Sequence, residues 1–253
     1  MDANERGLET AVSYLRGASS VLFITGAGIS ADSGLPTYRG IGGLYEEADT
    51  PEGIPIEEAL SGEMMRIDPG LTWKYIHQIE ATARGASFNR AHAILAAAER
   101  RFERVWVLTQ NVDGLHRKAG STNVIDIHGD VHDLLCTECD HRATVEDYSH
   151  LEPLPLCPDC GAPLRPDVVL FGELLPLSKV ETLERELRRG FDVVFSIGTT
   201  SVFPYIARPV IEARMRRKAT VEINPGETVV SGEVDVRLPM RAAEACEALW
   251  ARL

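Results

Sequence analysis

The run Val21-Leu22-Phe23-Ile24, ending abruptly at Gly26-Ala27-Gly28, constrains this chain more than any other stretch. An unbroken, partly β-branched apolar run is what a strand covered on both faces needs, and such strands belong to parallel sheets flanked by helices. The two glycines permit a tight turn and a close approach of backbone to a bulky anion. Ser30, Ala31 and Ser33 then open a helix whose unpaired N–H groups face that anion, which makes Gly26, Ala27, Gly28 and Ser30 a candidate phosphate cradle. Gly26-x-Gly28-x-x-Ala31 is a relaxed form of the dinucleotide fingerprint, and by itself it fits a plain glycine turn equally well.

The rest of the chain repeats the strand-then-helix pattern. Leu8, Val12 and Leu15 at helical spacing predict a first helix over 5–17. Strands are expected at 105–109, 124–127, 192–197, 219–223 and 234–238, and helices at 90–101, 178–189, 205–217 and 240–252. This alternation implies an α/β fold with a doubly wound parallel sheet. Polar clusters fall at the carboxyl ends of the strands: Gly26, Gln110-Asn111 with Asp113, His128-Gly129, Gly198-Thr199-Thr200, and Asn224. Ligands of open α/β sheets bind along that edge. Between Pro36 and Phe88 the periodicity breaks up, with short helices expected only at 56–66 and 70–84, and a long irregular passage of this kind reads as a cover over the ligand.

Two pairs, Cys136-x-x-Cys139 and Cys157-x-x-Cys160, stand seventeen residues apart. This is the spacing of a zinc ribbon, and four thiolates leave no open position on the metal, so the zinc is expected to be structural. Cys246 is left to pack on the last helix, and His132, His141 and His150 are expected at the surface. At 253 residues the chain suits one large domain with a small insert. A net charge of −12 argues against nucleic-acid or anionic-membrane partners and favours basic ones. The polar start, with no long apolar run after it, predicts neither a signal peptide nor a membrane span, and hence a cytoplasmic protein.

Asp32, Ser33, Pro36, Tyr38 and Arg39 complete the string GAGISADSGLPTYRG, which resembles the signature of the sirtuins, the NAD-dependent protein deacylases. The TQN-x-D segment ending at Asp113, the IHGD segment around His128, the cysteine pairs and the segment ending FGE at Glu173 follow in that family's order. The resemblance implies a Rossmann-like NAD-binding domain over 1–132 and 168–253, with 36–90 as a helical cofactor cover and a zinc-ribbon domain over 133–167. It implies that the glycosidic bond of NAD is broken while the acyl oxygen of an acyl-lysine attacks the ribose. His128 would then act as base for the neighbouring hydroxyl, a task that suits an imidazole because it titrates near operating pH.

By the same resemblance, Asn111 orients the ribose and a water, Asp113 holds the nicotinamide carboxamide, and Gln110 and Ser30 line the cofactor. Arg39 would pair with the pyrophosphate and Tyr38 would shield the reactive carbon. Gly198, Thr199 and Thr200 would line the adenosine half, and Asn224 would read its ribose hydroxyls. Asp126 would support the loop, and His116 would pack. The segment Val168, Val169, Leu170, Phe171, Gly172 resembles the family's substrate strand. An extended peptide could add to its exposed edge, with Val169 and Phe171 flanking the acyl-lysine stem.

Some sirtuins that take succinyl or malonyl lysine use a Tyr and an Arg three residues later. Here Tyr75 is followed by Gln78, and unless an altered alignment brings in Lys74, His77 or Arg84, a buried acyl carboxylate would lack its cationic partner. The expected substrates are therefore proteins carrying acetyl or another neutral acyl group on lysine, with nicotinamide and O-acyl-ADP-ribose as products. The sequence leaves the oligomeric state open, a monomer included. Two other readings are mono-ADP-ribosyl transfer or NAD hydrolysis on the same site, and a non-catalytic NAD-binding module.

Overall fold

In the computed structural model, which describes residues 3–36 and 50–253, strand β1 (Ser20–Thr25) lies inside a six-stranded sheet. On one side it pairs with β2 (Arg104–Thr109), which pairs in turn with β3 (Val124–Asp126). On the other side stand β7 (Val193–Ile197), β8 (Ala219–Ile223) and β9 (Val236–Leu238), and every pairing is parallel. The chain reverses its direction of winding between β1 and β7, which opens a crevice at the carboxyl end of β1.

Side chains alternate across β1, so both faces need cover. Val21 and Phe23 enter one apolar cluster, with residues of α1 (Ala3–Arg16), α6 (Arg90–Ala98) and α10 (Ala242–Trp250). Leu22 and Ile24 enter the other, with α8 (Leu177–Arg189) and α9 (Pro204–Met215). Cys246 is buried on α10, in the first of these clusters.

A separate antiparallel sheet runs β5 (Arg142–Thr144), β4 (Gly129–Cys136), β6 (Leu164–Val168). Three helices pack on it: α3 (Ile56–Ala59), α4 (Gly62–Ile67) and α5 (Pro69–Ala83). Their starts are written in the sequence. Ser61 accepts from the Met64 N–H, Asp68 accepts from the Leu71 N–H, and Pro69 occupies the first turn of α5. The fully buried Trp73 donates its indole N–H to the Leu164 carbonyl at 2.7 Å and ties α5 to the small sheet. The described part of the expected cover is thus built onto the small sheet. Among the described residues no helix is long and apolar enough to cross a membrane.

The segment after β6 departs from expectation. The strand ends at Val168, and the chain then turns tightly. The Val169 N–H donates to the His128 carbonyl, the Leu170 N–H to Glu173 Oε2, and the Phe171 N–H to the Leu60 carbonyl, while the Phe171 carbonyl accepts from Gly62. At residues 169–171 the open strand edge implied by the family resemblance is not offered, because their main chain already bonds within the chain.

Candidate active site

The short helix α2 (Ala27–Ser30) follows β1 directly, and no side chain caps it at Gly26. Sequence reasoning placed the two glycines against an anion, but their α-carbons face the turn after β7. The Gly28 N–H donates to the Gly198 carbonyl at 2.8 Å, and a Cβ on Gly28 would stand 2.6 Å from Gly198 Cα. The glycine requirement thus comes from two backbones crossing at the crevice. Gly28→Ala is expected to lose about 1–3 kcal/mol of stability through overpacking against main chain. An unchanged urea midpoint would contradict this.

Around that crossing a connected set of polar side chains forms. Asn111 donates through Nδ2 to the Gly26 carbonyl (3.1 Å) and to Ser30 Oγ (3.0 Å). Ser30 donates to Asp113 Oδ2 at 2.7 Å, and the other Asp113 oxygen accepts from the Leu115 N–H. Ser30, Asn111 and Asp113 therefore hold one another in place, and each carboxylate oxygen keeps a lone pair for a further donor. Gln110 reaches across the crevice to Thr199 Oγ1 at 2.7 Å. Asn224 braces the far side, donating to the Thr199 carbonyl and accepting from the Gly226 N–H. Thr200 is exposed at the rim beside Gly198. Tyr38 and Arg39 lie outside the described residues.

His128 stands at the end of β3, where the chain enters the small sheet. Its Nδ1 lies 3.0 Å from the Gln110 carbonyl, which can only accept, so Nδ1 carries the proton and Nε2 keeps its lone pair. Burial pushes the imidazole below the ordinary histidine value, opposed by the Gln110 carbonyl. The next residue, Gly129, has φ +95°, and a Cβ there would strike the Asp167 carbonyl at 1.9 Å, so only glycine lets β4 start against β6.

One partner of His128 escaped sequence reasoning. The Tyr205 hydroxyl lies 2.6 Å from Nε2, and the rings of Phe203 and Tyr205 both meet the imidazole nearly edge-on. The available signal was an aromatic pair just beyond a strand-end polar cluster. Ser201 is fully buried at φ 54° and donates its N–H to Thr199 Oγ1. Asp126 pairs with Lys179 and Arg117, fastening α8 and α7 (Leu115–Lys118) to β3. His116 is buried with Nε2 2.9 Å from Thr25 Oγ1, in the packing role expected of it.

The four cysteines converge at the far end of the small sheet. Cys136 and Cys160 have sulfurs 3.4 Å apart, Cys139 and Cys157 3.7 Å, and all four lie within 4.8 Å of one another. A tetrahedral zinc with bonds of about 2.3 Å needs sulfur separations of about 3.8 Å, so these residues fit that ion. Each pair sits on a closed turn, with the Cys136 N–H on the His141 carbonyl and the Cys157 N–H on the Ala162 carbonyl. His132 bonds Asp130 and His141 bonds Asp159, so neither is needed as a ligand.

A profile of the Sir2 family matches residues 26–204, which takes in both the crevice and the cysteine cluster. The chain belongs to the Sir2 family. It is 48% identical over 240 residues to "NAD-dependent protein deacylase 2" of Pseudomonas aeruginosa, covering 94% of this chain and 93% of that protein. It superposes on a Sir2 homologue solved with NAD at a TM-score of 0.85 and 36% identity, over 96% of this chain and 93% of the other. A Sir2 protein solved with a p53 peptide and NAD+ gives a TM-score of 0.82 at 28% identity, over 96% and 97% of the two chains.

In this sirtuin Tyr75 and Gln78 do not form a pair that could hold a carboxylate. Tyr75 is buried and its hydroxyl donates to Glu52, which Lys74 also engages, and Gln78 is exposed. Those two partners hold the Glu52 carboxyl down at about 2.

Proposed function

We propose that this sirtuin is an NAD-dependent protein-lysine deacylase, releasing nicotinamide and O-acyl-ADP-ribose. The observation that carries the reading is a neutral His128, its Nδ1 proton committed to Gln110, at the same sheet edge as the Ser30, Asn111 and Asp113 set. NAD enters as co-substrate and supplies the ribose that takes the acyl group. Asp113 accepts from its carboxamide, Asn111 and Ser30 orient the nicotinamide ribose, and His128 accepts the proton of the ribose hydroxyl at Nε2. Gln110, Gly198, Thr199, Thr200 and Asn224 line the remaining nucleotide, beside the Gly26-Ala27-Gly28 turn.

The family resemblance to a protein solved with both a peptide and NAD+ supports acyl-lysine proteins as partners. Val168, Val169, Phe171 and Gly172 border the acyl-lysine, and peptide main chain pairs beyond Phe171. Residues 133–167 act as a zinc-ribbon domain with a structural ion, and the rest as the NAD-binding domain. We place the enzyme in the cytoplasm as a monomer without nucleic-acid or membrane partners, as its acidity favours.

Incubation with NAD and an acyl-lysine peptide panel tests the activity by product mass. O-Acyl-ADP-ribose with deacylated peptide is expected. ADP-ribosylated protein, free ADP-ribose alone, or binding without turnover would each replace the reading by one of its rivals. Acetyl peptide is expected to turn over at least about tenfold faster than succinyl peptide, since an unpaired buried carboxylate costs several kcal/mol. Equal turnover would overturn that preference.

A further inference from the structure

Neutral imidazole has one acceptor site, the in-plane lone pair of the unprotonated nitrogen. In His128 that nitrogen is Nε2, because Nδ1 donates to the Gln110 carbonyl. The Tyr205 hydroxyl already occupies it at 2.6 Å, within the range of a strong O–H to N hydrogen bond. A substrate hydroxyl can therefore give its proton to His128 only by displacing the phenol or by passing the proton through it.

The surroundings favour passage. The Tyr205 ring is stacked on Phe203, with centroids 5.4 Å apart and planes 15° from parallel. Both rings stand edge-on to the imidazole, at 5.9 and 6.0 Å. Tyr205 is the second residue of α9, directly after Pro204, whose ring fixes the backbone entry. The phenol is half-buried, with its hydroxyl on His128 Nε2 and its ring edge-on to the imidazole. Burial pushes its pKa up to about 12, so it stays protonated at working pH and can donate at every turnover.

Resting on the deacylase reading, we propose that Tyr205 is a catalytic residue of this chain, a phenol relay between the ribose hydroxyl and His128. The hydroxyl O–H bond breaks as its proton passes to Tyr205 Oη, while the phenolic proton passes to His128 Nε2. The electron pair stays on the substrate oxygen and forms the new bond to the acyl carbon, whose π pair to the lysine nitrogen moves onto that nitrogen. The phenol ends neutral, the imidazole ends as imidazolium with Nδ1 still on Gln110, and no further reactant is consumed. A phenol suits this because it donates to neutral imidazole and accepts from the substrate hydroxyl at once.

Tyr205→Phe keeps the ring and its stacking and removes only the oxygen. In single turnover with NAD and acetyl peptide, it is expected to lose at least about tenfold in formation of deacylated peptide. Nicotinamide release, which precedes the base step, is expected at the parental rate. In mixtures of H2O and D2O the parent is expected to show a curved proton inventory for peptide deacylation, the mark of two protons in flight. Deacylation at or above the parental rate in Tyr205→Phe would show that the phenol merely blocks Nε2, and would overturn the relay. A linear inventory in the parent would overturn it even if the variant failed to fold. A parent making no deacylated peptide would sink the relay together with the deacylase reading, whereas an active parent with an indifferent variant sinks the relay alone.

Discussion

His128→Ala is expected to lower deacylation by about 10²- to 10⁴-fold, the range in which a positioned general base contributes. The side chain has two hydrogen bonds to lose, to the Gln110 carbonyl and the Tyr205 hydroxyl, and edge-on contacts with two rings. NAD affinity is expected to survive, and the melting temperature to move little. The parent should also show the pH dependence of this base. Burial lowers the His128 pKa, so the ring keeps its Nε2 lone pair below the ordinary histidine value of about 6.5. The acid limb of kcat/KM is expected to fall below that value and to vanish in the variant. Deacylation by His128→Ala within threefold of the parent, with its NAD binding intact, would remove His128 from the chemistry.

Much of this site could be read from strand ends. Gln110, Asn111, Asp113 and His128 each follow a buried strand, and a parallel sheet gathers such ends along one edge whatever lies between them. The cysteine cluster was legible for a similar reason, since two CxxC turns admit few arrangements around one ion. What escaped depends on backbone meeting backbone or on side chains far apart in sequence. The glycine string looked like a phosphate cradle, and only the structure shows Gly28 against Gly198, from the other half of the sheet. The apolar run from Val168 to Phe171 resembles the family's substrate strand, yet Leu60, Gly62 and His128 take up its main chain. Tyr205 follows a proline at the head of a helix, where an aromatic residue is usually packing. Its hydroxyl gains meaning only because β3 and α9 bring 128 and 205 together.

Removal of the zinc is expected to cost activity as well as local order, although the ion lies at the far end of the small sheet. Cys136 and Cys157 belong to the apolar cluster that also holds Trp73, Leu134, Tyr148 and Leu164. Four crowded thiols released from a metal, two of them buried, would repel or protonate, and the turns they close would open. Zinc supplies about 10–16 kcal/mol to small zinc-folded peptides, so the antiparallel sheet should not survive its loss. The six-stranded sheet has its own apolar clusters on both faces and should remain. His128 sits at the seam between the two. Gly129 opens β4 directly after it, and the His128 carbonyl accepts from the Val169 N–H where the chain leaves β6. Chelation, or Cys157→Ser, is expected to abolish amide-exchange protection across 130–136 and 164–168, leave 20–25 and 193–197 protected, and reduce deacylation at least about tenfold. Zinc should restore the chelated enzyme and not the variant. Full deacylation by protein shown to be metal-free would mean that the small sheet holds itself together, and that His128 is positioned from the parallel sheet alone.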